Sequence, residues 1–137
     1  MARKGWTWAP SPSRRSNTKI SSAVKAEVQR RSEELIASSL KPQHLKPPKA
    51  NQDLNYLIDI FLKWHGSSLI FCSRYNCPSP NAISPTFEDK FARIEYAGHD
   101  QYNLYFRRHT AQWFEIGAGL TLDQCLGAIK EDPLFTP

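Results

Sequence analysis

The spacing of hydrophobic residues changes along this chain, and the first spacing is helical. Apolar residues fall on one side of a helix from Ile20 to Ile36, as on a helix with one face against a core. Ser21 or Ser22 is suited to cap its start. Pro42 disfavours helical backbone in the residue before it, so we predict a helix over 21–40 and a Pro-rich linker over 41–51. The apolar positions are Ile20, Val24, Val28, Leu35 and Ile36.

From Asn55 onward the period falls to two, which is typical of strands that present one face to a core. Gly66 and Gly98 mark turns between alternating segments, and residues 76–86 form a loop because they contain three prolines. Short strands joined by tight turns predict an antiparallel meander. The predicted strands are Tyr56–Trp64, Leu69–Tyr75, Phe87–Tyr96, Tyr102–Arg108 and Gln112–Ile116.

The last segment predicts a second helix. Thr121 and Gln124 have the spacing of a capping box, and Asp132-Pro133 ends the helix. Gly117-Ala118-Gly119 before it predicts a turn. The fold class is therefore α+β: a five-stranded antiparallel meander packed with an N-terminal and a C-terminal helix. We predict a basic arm over residues 1–19 and a single domain over 20–137, with sheet and final helix in 52–137.

Charge is divided unevenly along the chain. Residues 1–50 carry eleven Lys and Arg against three Glu, whereas residues 51–137 carry seven against ten Asp and Glu. No apolar run follows Met1, and no apolar stretch is long enough to span a bilayer. Three cysteines form no dense disulfide framework. We therefore predict a cytoplasmic protein with reduced thiols and no membrane segment.

The basic arm and linker predict contact with an anionic partner, either nucleic acid or an acidic protein, because Lys and Arg neutralise phosphates. A solvated tail is the alternative. Trp6 and Trp8 lie on one side of an extended segment, where they either anchor the arm to the body or stack on a partner. The candidate anion-binding residues here are Arg3, Lys4, Arg14, Arg15, Lys41, Lys46 and Lys49.

A second candidate lies at a hairpin end. Arg107 and His109 share one strand face, with Trp113 on the next strand, whereas Arg108 takes the other face. A cation beside an indole forms an anion site or a cation–π contact that only packs. Both readings stay open, and Glu95 or Glu115 is a candidate partner for Arg108.

An enzymatic alternative uses Asp59, Glu88 and Lys90, the carboxylate and Glu-x-Lys skeleton of one class of metal-dependent nuclease. The skeleton requires both carboxylates at one Mg²⁺. Cys72 and Cys77 form a single loose pair, so we predict no structural metal site and no cofactor. No local motif around these cysteines indicates nucleophilic catalysis.

The last 50 residues or so resemble an uncharacterised bacterial family, a domain of unknown function. Its members have an Arg on one strand, an Arg-His pair ending the next, a Trp on the third, and a helix that ends in Asp-Pro. The matching positions are Arg93, Arg108, His109, Trp113, Asp132 and Pro133. The resemblance implies the sheet-plus-helix arrangement and no particular activity.

These observations favour a small non-enzymatic accessory protein that contacts nucleic acid or another anionic partner through its basic N-terminal region. The alternative is a protein-interaction module, antitoxin-like or an assembly factor, whose arm orders on its partner. The metal-dependent nuclease is the third hypothesis. No feature of the sequence specifies an oligomeric state.

Overall fold

The computed structural model describes residues 19–45, 55–107 and 111–137. Two helical segments, a five-stranded antiparallel sheet and a final helix follow one another, which confirms the predicted α+β meander. The elements are α1 (Ser22–Leu35), a π-helical turn (Ile36–Leu40), α2 (Lys41–His44), β1 (Tyr56–His65), β2 (Ser68–Asn76), β3 (Thr86–Gly98), β4 (Gln101–Arg107), β5 (Trp113–Leu120), α3 (Leu122–Glu131) and a 3₁₀ turn (Pro133–Phe135).

The N-terminal helical segment runs further than predicted. Ser21 caps α1 by accepting a hydrogen bond from the Val24 amide at 3.2 Å. The helical backbone then continues through Pro42 to His44, so the expected end at residue 40 and the linker start at 41 are both wrong. The π turn explains why the helix continues. The Lys41 amide donates to the Ile36 carbonyl, five residues back, instead of the carbonyl four residues back. This wider turn makes room for the Pro42 ring, which in a regular α-helix would contact a carbonyl of the preceding turn. No helix in the described ranges is long and apolar enough to cross a membrane.

The sheet order is β1-β2-β3-β4-β5, with every pair antiparallel and consecutive. Tight turns set this order. Gly66 has a φ of 62° between β1 and β2, and His99 and Asp100 have φ values of 53° and 58° between β3 and β4. Left-handed backbone at two central residues matches the twist of paired strands. The prediction for β5 was too short, because Gly117-Ala118-Gly119, expected as a turn, belongs to the strand.

One face of the sheet packs against the helices. A row of apolar side chains crosses all five strands on this face, each residue paired with the next in register. Alternation of side chains along each strand then fixes every other residue on the same side. The row is Leu62, Phe71, Ala92, Phe106 and Phe114.

Both helices reach this face through buried side chains. Val28, Ile36 and Leu40 project from the N-terminal helical segment, and Cys125 and Ile129 project from α3. The Trp64 indole of β1 donates a hydrogen bond to Gln29 at 2.7 Å and lies 4.9 Å below the Lys25 ammonium, so α1 covers it. Arg31 forms an ion pair with Asp123 in the first turn of α3. The predicted capping box of α3 is confirmed, with Thr121 and Gln124 bonded reciprocally at 2.9 and 3.1 Å.

The core predicts a sharp contrast between two substitutions. Leu104 in β4 is fully buried at 0% exposure, so we expect Leu104→Ala to lower the free energy of unfolding by about 2–5 kcal/mol through reduced burial and a residual cavity. Ile83 in the loop after β2 is fully exposed. Urea denaturation of Ile83→Ala is expected to give a midpoint like that of the unmodified protein. Equal midpoints for the two variants would contradict the assigned core.

Candidate functional site

The sheet face opposite the helices carries charged and aromatic side chains. We call it the open face, and its residues follow from the register. One row runs across all five strands, and two shorter groups lie towards the end where β1 and β3 begin and β2 and β4 finish. The row is Lys63, Ile70, Arg93, Tyr105 and Glu115. The first group is Phe61, Cys72 and Lys90, and the second group is Asp59, Arg74 and Glu88. The cross-strand pair Arg107 and Trp113 lies at the same end, on β4 and β5.

A hydrogen-bonded network centred on Glu95 holds the middle of the open face. Tyr105 donates its hydroxyl to the Glu95 carboxylate at 2.9 Å, and Asn103 donates its amide at 3.2 Å. Arg93 donates to the other carboxylate oxygen at 3.4 Å and to the Ser68 hydroxyl at 3.1 Å. The Glu95 side chain is only 12% exposed, so these donors compensate its burial.

The electrostatics of Tyr105 follow from that network. Burial disfavours the charged tyrosinate, and the neighbouring Glu95 carboxylate repels it, so both raise the pKa of Tyr105 above its usual range. Tyr105 therefore remains a neutral hydrogen-bond donor at physiological pH. The Arg93 guanidinium lies 4.9 Å from the Tyr105 ring centroid, which adds a cation–π contact to the same group.

Trp113 lies beside this network and connects two arginines. Its ring centroid is 5.9 Å from the Arg93 guanidinium and 5.9 Å from the Arg107 guanidinium. Arg93 is held by Ser68 and Glu95, whereas Arg107 has no carboxylate partner among the described residues. The predicted proximity of Arg107 to Trp113 is therefore present as a direct cross-strand pair.

A separate ion-pair cluster lies on β1, β2 and β3. Glu88 accepts hydrogen bonds from Arg74 at 2.7 Å and from Lys63 at 2.9 Å. The bond from Arg74, followed by that from Lys63, lowers the pKa of Glu88. Both cations also lie over the Phe61 ring, at 4.9 and 5.5 Å from its centroid. Glu88 therefore stays ionised, and the positive charges of Arg74 and Lys63 balance its negative charge.

Cys72 is enclosed beneath these charged groups. It is 1% exposed, and burial raises the pKa of its thiol, so the thiol stays protonated and poorly nucleophilic. Lys63, Lys90 and Arg107 act in the opposite direction on the same pKa, and Lys90 is the cross-strand partner of Cys72. Lys90, like Arg107, has no carboxylate partner in the part of the chain that the structure describes.

The residues of the nuclease hypothesis do not form a shared metal site. Asp59 and Glu88 lie on the same face, but strand β2 separates them and Arg74 stands between them in register. Asp59 is paired with Lys41 at 3.2 Å, so each carboxylate already has a cation. Within residues 19–45, 55–107 and 111–137, no group of three His, Cys, Asp or Glu side chains is placed to hold a metal ion. The hypothesis gains no support from this geometry.

Most of the predicted anion-binding and anchoring residues lie outside the described residues. They are Arg3, Lys4, Arg14, Arg15, Lys46, Lys49, His109, Trp6 and Trp8, together with Arg108. Lys41 is described, and its ion pair with Asp59 places it at the β1 edge of the open face. Along the strands, Asp59 lies towards the same end as Lys90, Arg107 and Trp113, which are on β3, β4 and β5.

Sequence reasoning missed the Glu95 network. Alternation placed Arg93 and Glu95 on one strand face, and Tyr105 falls in phase with Arg107 on the next strand. This alternation indicates that Arg93 and Glu95 share a face of one strand and that Tyr105 and Arg107 share a face of the next. Joining the two strands required the register, which pairs Arg93 with Tyr105 and Glu95 with Asn103.

The raised pKa of Tyr105 predicts a loss of stability in alkali. A group whose pKa is higher in the folded state than in the unfolded state stabilises the protein while it is protonated. For Tyr105 this stabilisation is complete below the unfolded-state pKa, about 10 for tyrosine. It is lost as the pH rises from that value through the higher folded-state pKa. Chemical denaturation over alkaline pH is expected to show a free energy of unfolding that falls less steeply in Tyr105→Phe than in the unmodified protein. Identical slopes would refute the assignment of this proton to Tyr105.

Comparison with known proteins identifies the domain by family. Neither the curated proteins nor the solved structures compared with the chain match it significantly. A family model described as "Domain of unknown function (DUF3024)" matches residues 20–137. The match extends beyond the last 50 residues that carried the resemblance, since it includes α1 and the whole sheet. The chain therefore belongs to the DUF3024 family of domains of unknown function.

Proposed function

We propose that this protein is a small non-enzymatic accessory protein that binds nucleic acid through its basic N-terminal region, with the open face as a second contact. One observation carries the proposal. Arg107 lies beside Trp113, and Lys90 lies on the same face of the neighbouring strand β3; neither cation has a carboxylate partner among the described residues. Cations without internal partners, next to an aromatic ring, are suited to phosphates and bases.

The charge distribution supports the same partner. Residues 1–50 carry eleven Lys and Arg against three Glu. In the described part of that segment, Arg30, Arg31 and Lys41 are each paired with a carboxylate. Such exposed pairs exchange readily for phosphate contacts because each contributes little to stability.

The arm predicts a salt-sensitive contribution to binding. Replacing Arg3, Lys4, Arg14 and Arg15 together by Gln is expected to weaken binding of a labelled oligonucleotide and to flatten its salt dependence, by about 0.7 in log–log slope for each phosphate that is no longer neutralised. Fluorescence anisotropy over a salt series measures both quantities. Lys130→Gln, on the exposed side of α3, is the matched control and should leave the slope unchanged. An unaltered slope in the arm variant would contradict the proposal.

Removing one carboxylate from the open face predicts a gain in affinity. Glu88 neutralises Arg74 and Lys63, so Glu88→Gln releases two cations towards a polyanion. We expect binding at low salt to strengthen about two- to fivefold and the salt dependence to steepen. Glu131→Gln on α3 removes the same charge from the helical side and serves as control. Equal effects of the two substitutions would show that only net charge matters.

A protein-interaction module remains the second candidate, because β5 is an edge strand. Its outer backbone groups have no neighbouring strand in the described sheet, and Ile116 on it is exposed. Affinity purification of the intact protein separates the candidates. One stoichiometric protein partner without nucleic acid favours the interaction module, whereas retained nucleic acid that is released by salt favours the accessory protein.

A further inference from the structure

We propose that the open face selects single-stranded nucleic acid, with a base stacked on Trp113 and adjacent phosphates at Lys90 and Arg107. This inference rests on the proposed function and specifies its ligand. The positions of these side chains carry it. Arg107 and Trp113 are cross-strand partners on β4 and β5. Lys90 is on the same face of β3, two residues before Ala92, and Arg107 follows Phe106, the partner of Ala92, so the two cations lie on adjacent strands.

The stacking platform is held in place before any ligand arrives. Arg93 is fixed by bonds to Ser68 at 3.1 Å and to Glu95 at 3.4 Å. It approaches the rings of both Tyr105 and Trp113, so the indole rests against a cation that cannot rotate freely. Trp113 is only partly buried, which leaves part of the ring open to solvent. A preorganised aromatic surface reduces the entropy cost when a base stacks on it.

The charges on the face complement a sugar-phosphate backbone next to that platform. Glu95 is enclosed by three donors, and Glu88 is neutralised by two cations, so neither presents a free negative charge beside Trp113. Lys90 and Arg107 have no carboxylate partner among the described residues. Glu115, which is exposed, lies two residues after Trp113 on the same face. Arg93, Arg107 and Lys90 outnumber Glu95 and Glu115, so the charge of this part of the face is positive.

The shape of the face disfavours a duplex ligand. Five strands spaced about 4.8 Å apart make a surface about 19 Å wide, which exceeds the width of about 12 Å of a B-DNA major groove. Bases inside a duplex are also stacked on one another and are not available to an indole. Single strands present unstacked bases, and an aromatic side chain stacks on any of them.

The test compares a labelled single strand of about 20 nucleotides with its duplex, using the full chain and fluorescence anisotropy. We expect the unmodified protein to prefer the single strand. Trp113→Ala should weaken single-strand binding about tenfold and leave duplex binding nearly unchanged, because only an unstacked base uses the indole. Trp113→Phe retains an aromatic face and should recover part of the affinity, which separates stacking from a folding defect.

Matched controls lie on the opposite side of the sheet. Phe87 is an exposed aromatic residue stacked on Tyr75 on the helix-side face, so Phe87→Ala should not alter binding. Lys90→Ala should weaken binding of the single strand more than Lys130→Ala does. Heparin, a polyanion without bases, should bind with no dependence on Trp113.

The outcomes distinguish this inference from the function on which it rests. Duplex binding as strong as single-strand binding overturns the inference and leaves nucleic-acid binding intact. Unchanged single-strand affinity in Trp113→Ala, with weakened binding in the arm variant, does the same. No binding of either oligonucleotide at low salt overturns both.

Discussion

Side chains on an antiparallel strand alternate between two faces, and the structure of this domain depends on that constraint. The helices supply apolar surface for one face only. Most of the residues that face the helices are therefore apolar, and the intervening residues are left on the other side. The row from Leu62 to Phe114 is apolar across the full width of the sheet. The residues between these apolar positions form the open face.

The open face is more than a solvated surface, because its polar residues satisfy one another. Glu95 accepts bonds from Tyr105, Asn103 and Arg93, and Glu88 accepts bonds from Arg74 and Lys63. Networks of this kind fix side chains that would otherwise sample many rotamers. The cations that remain without a carboxylate partner in the described ranges are then distinctive. Arg107 stands next to an indole that the network holds in position, and Lys90 is on the same face of strand β3.

The N-terminal segment couples to this surface through a backbone feature. The π turn over Ile36–Leu40 lets the helix pass Pro42 and places Lys41 at Asp59 on strand β1. One basic residue of the N-terminal segment, Lys41, therefore lies at the β1 edge of the open face. This contact is why the proposed function assigns a role to both regions.

The sequence by itself determined the class and order of the elements. Period-two alternation identified the strands, the Thr121 and Gln124 spacing identified the start of α3, and charge counting identified the basic half. Local signals were sufficient because alternation, capping and turns act within a few residues. They failed at Pro42 and at Gly117, where a proline and glycines were read as interruptions although the surrounding packing keeps the helix and strand going.

Only the tertiary structure decided which charged residues act together. Arg93 reaches Ser68 on β2 and Glu95 on its own strand, and Asp59 is separated from Glu88 by Arg74. These relations depend on register, and the bulges after Leu57 and Phe71 shift it by a residue in ways that no local pattern encodes. The sequence thus specified a two-faced sheet, and the register turned one of those faces into a candidate binding surface.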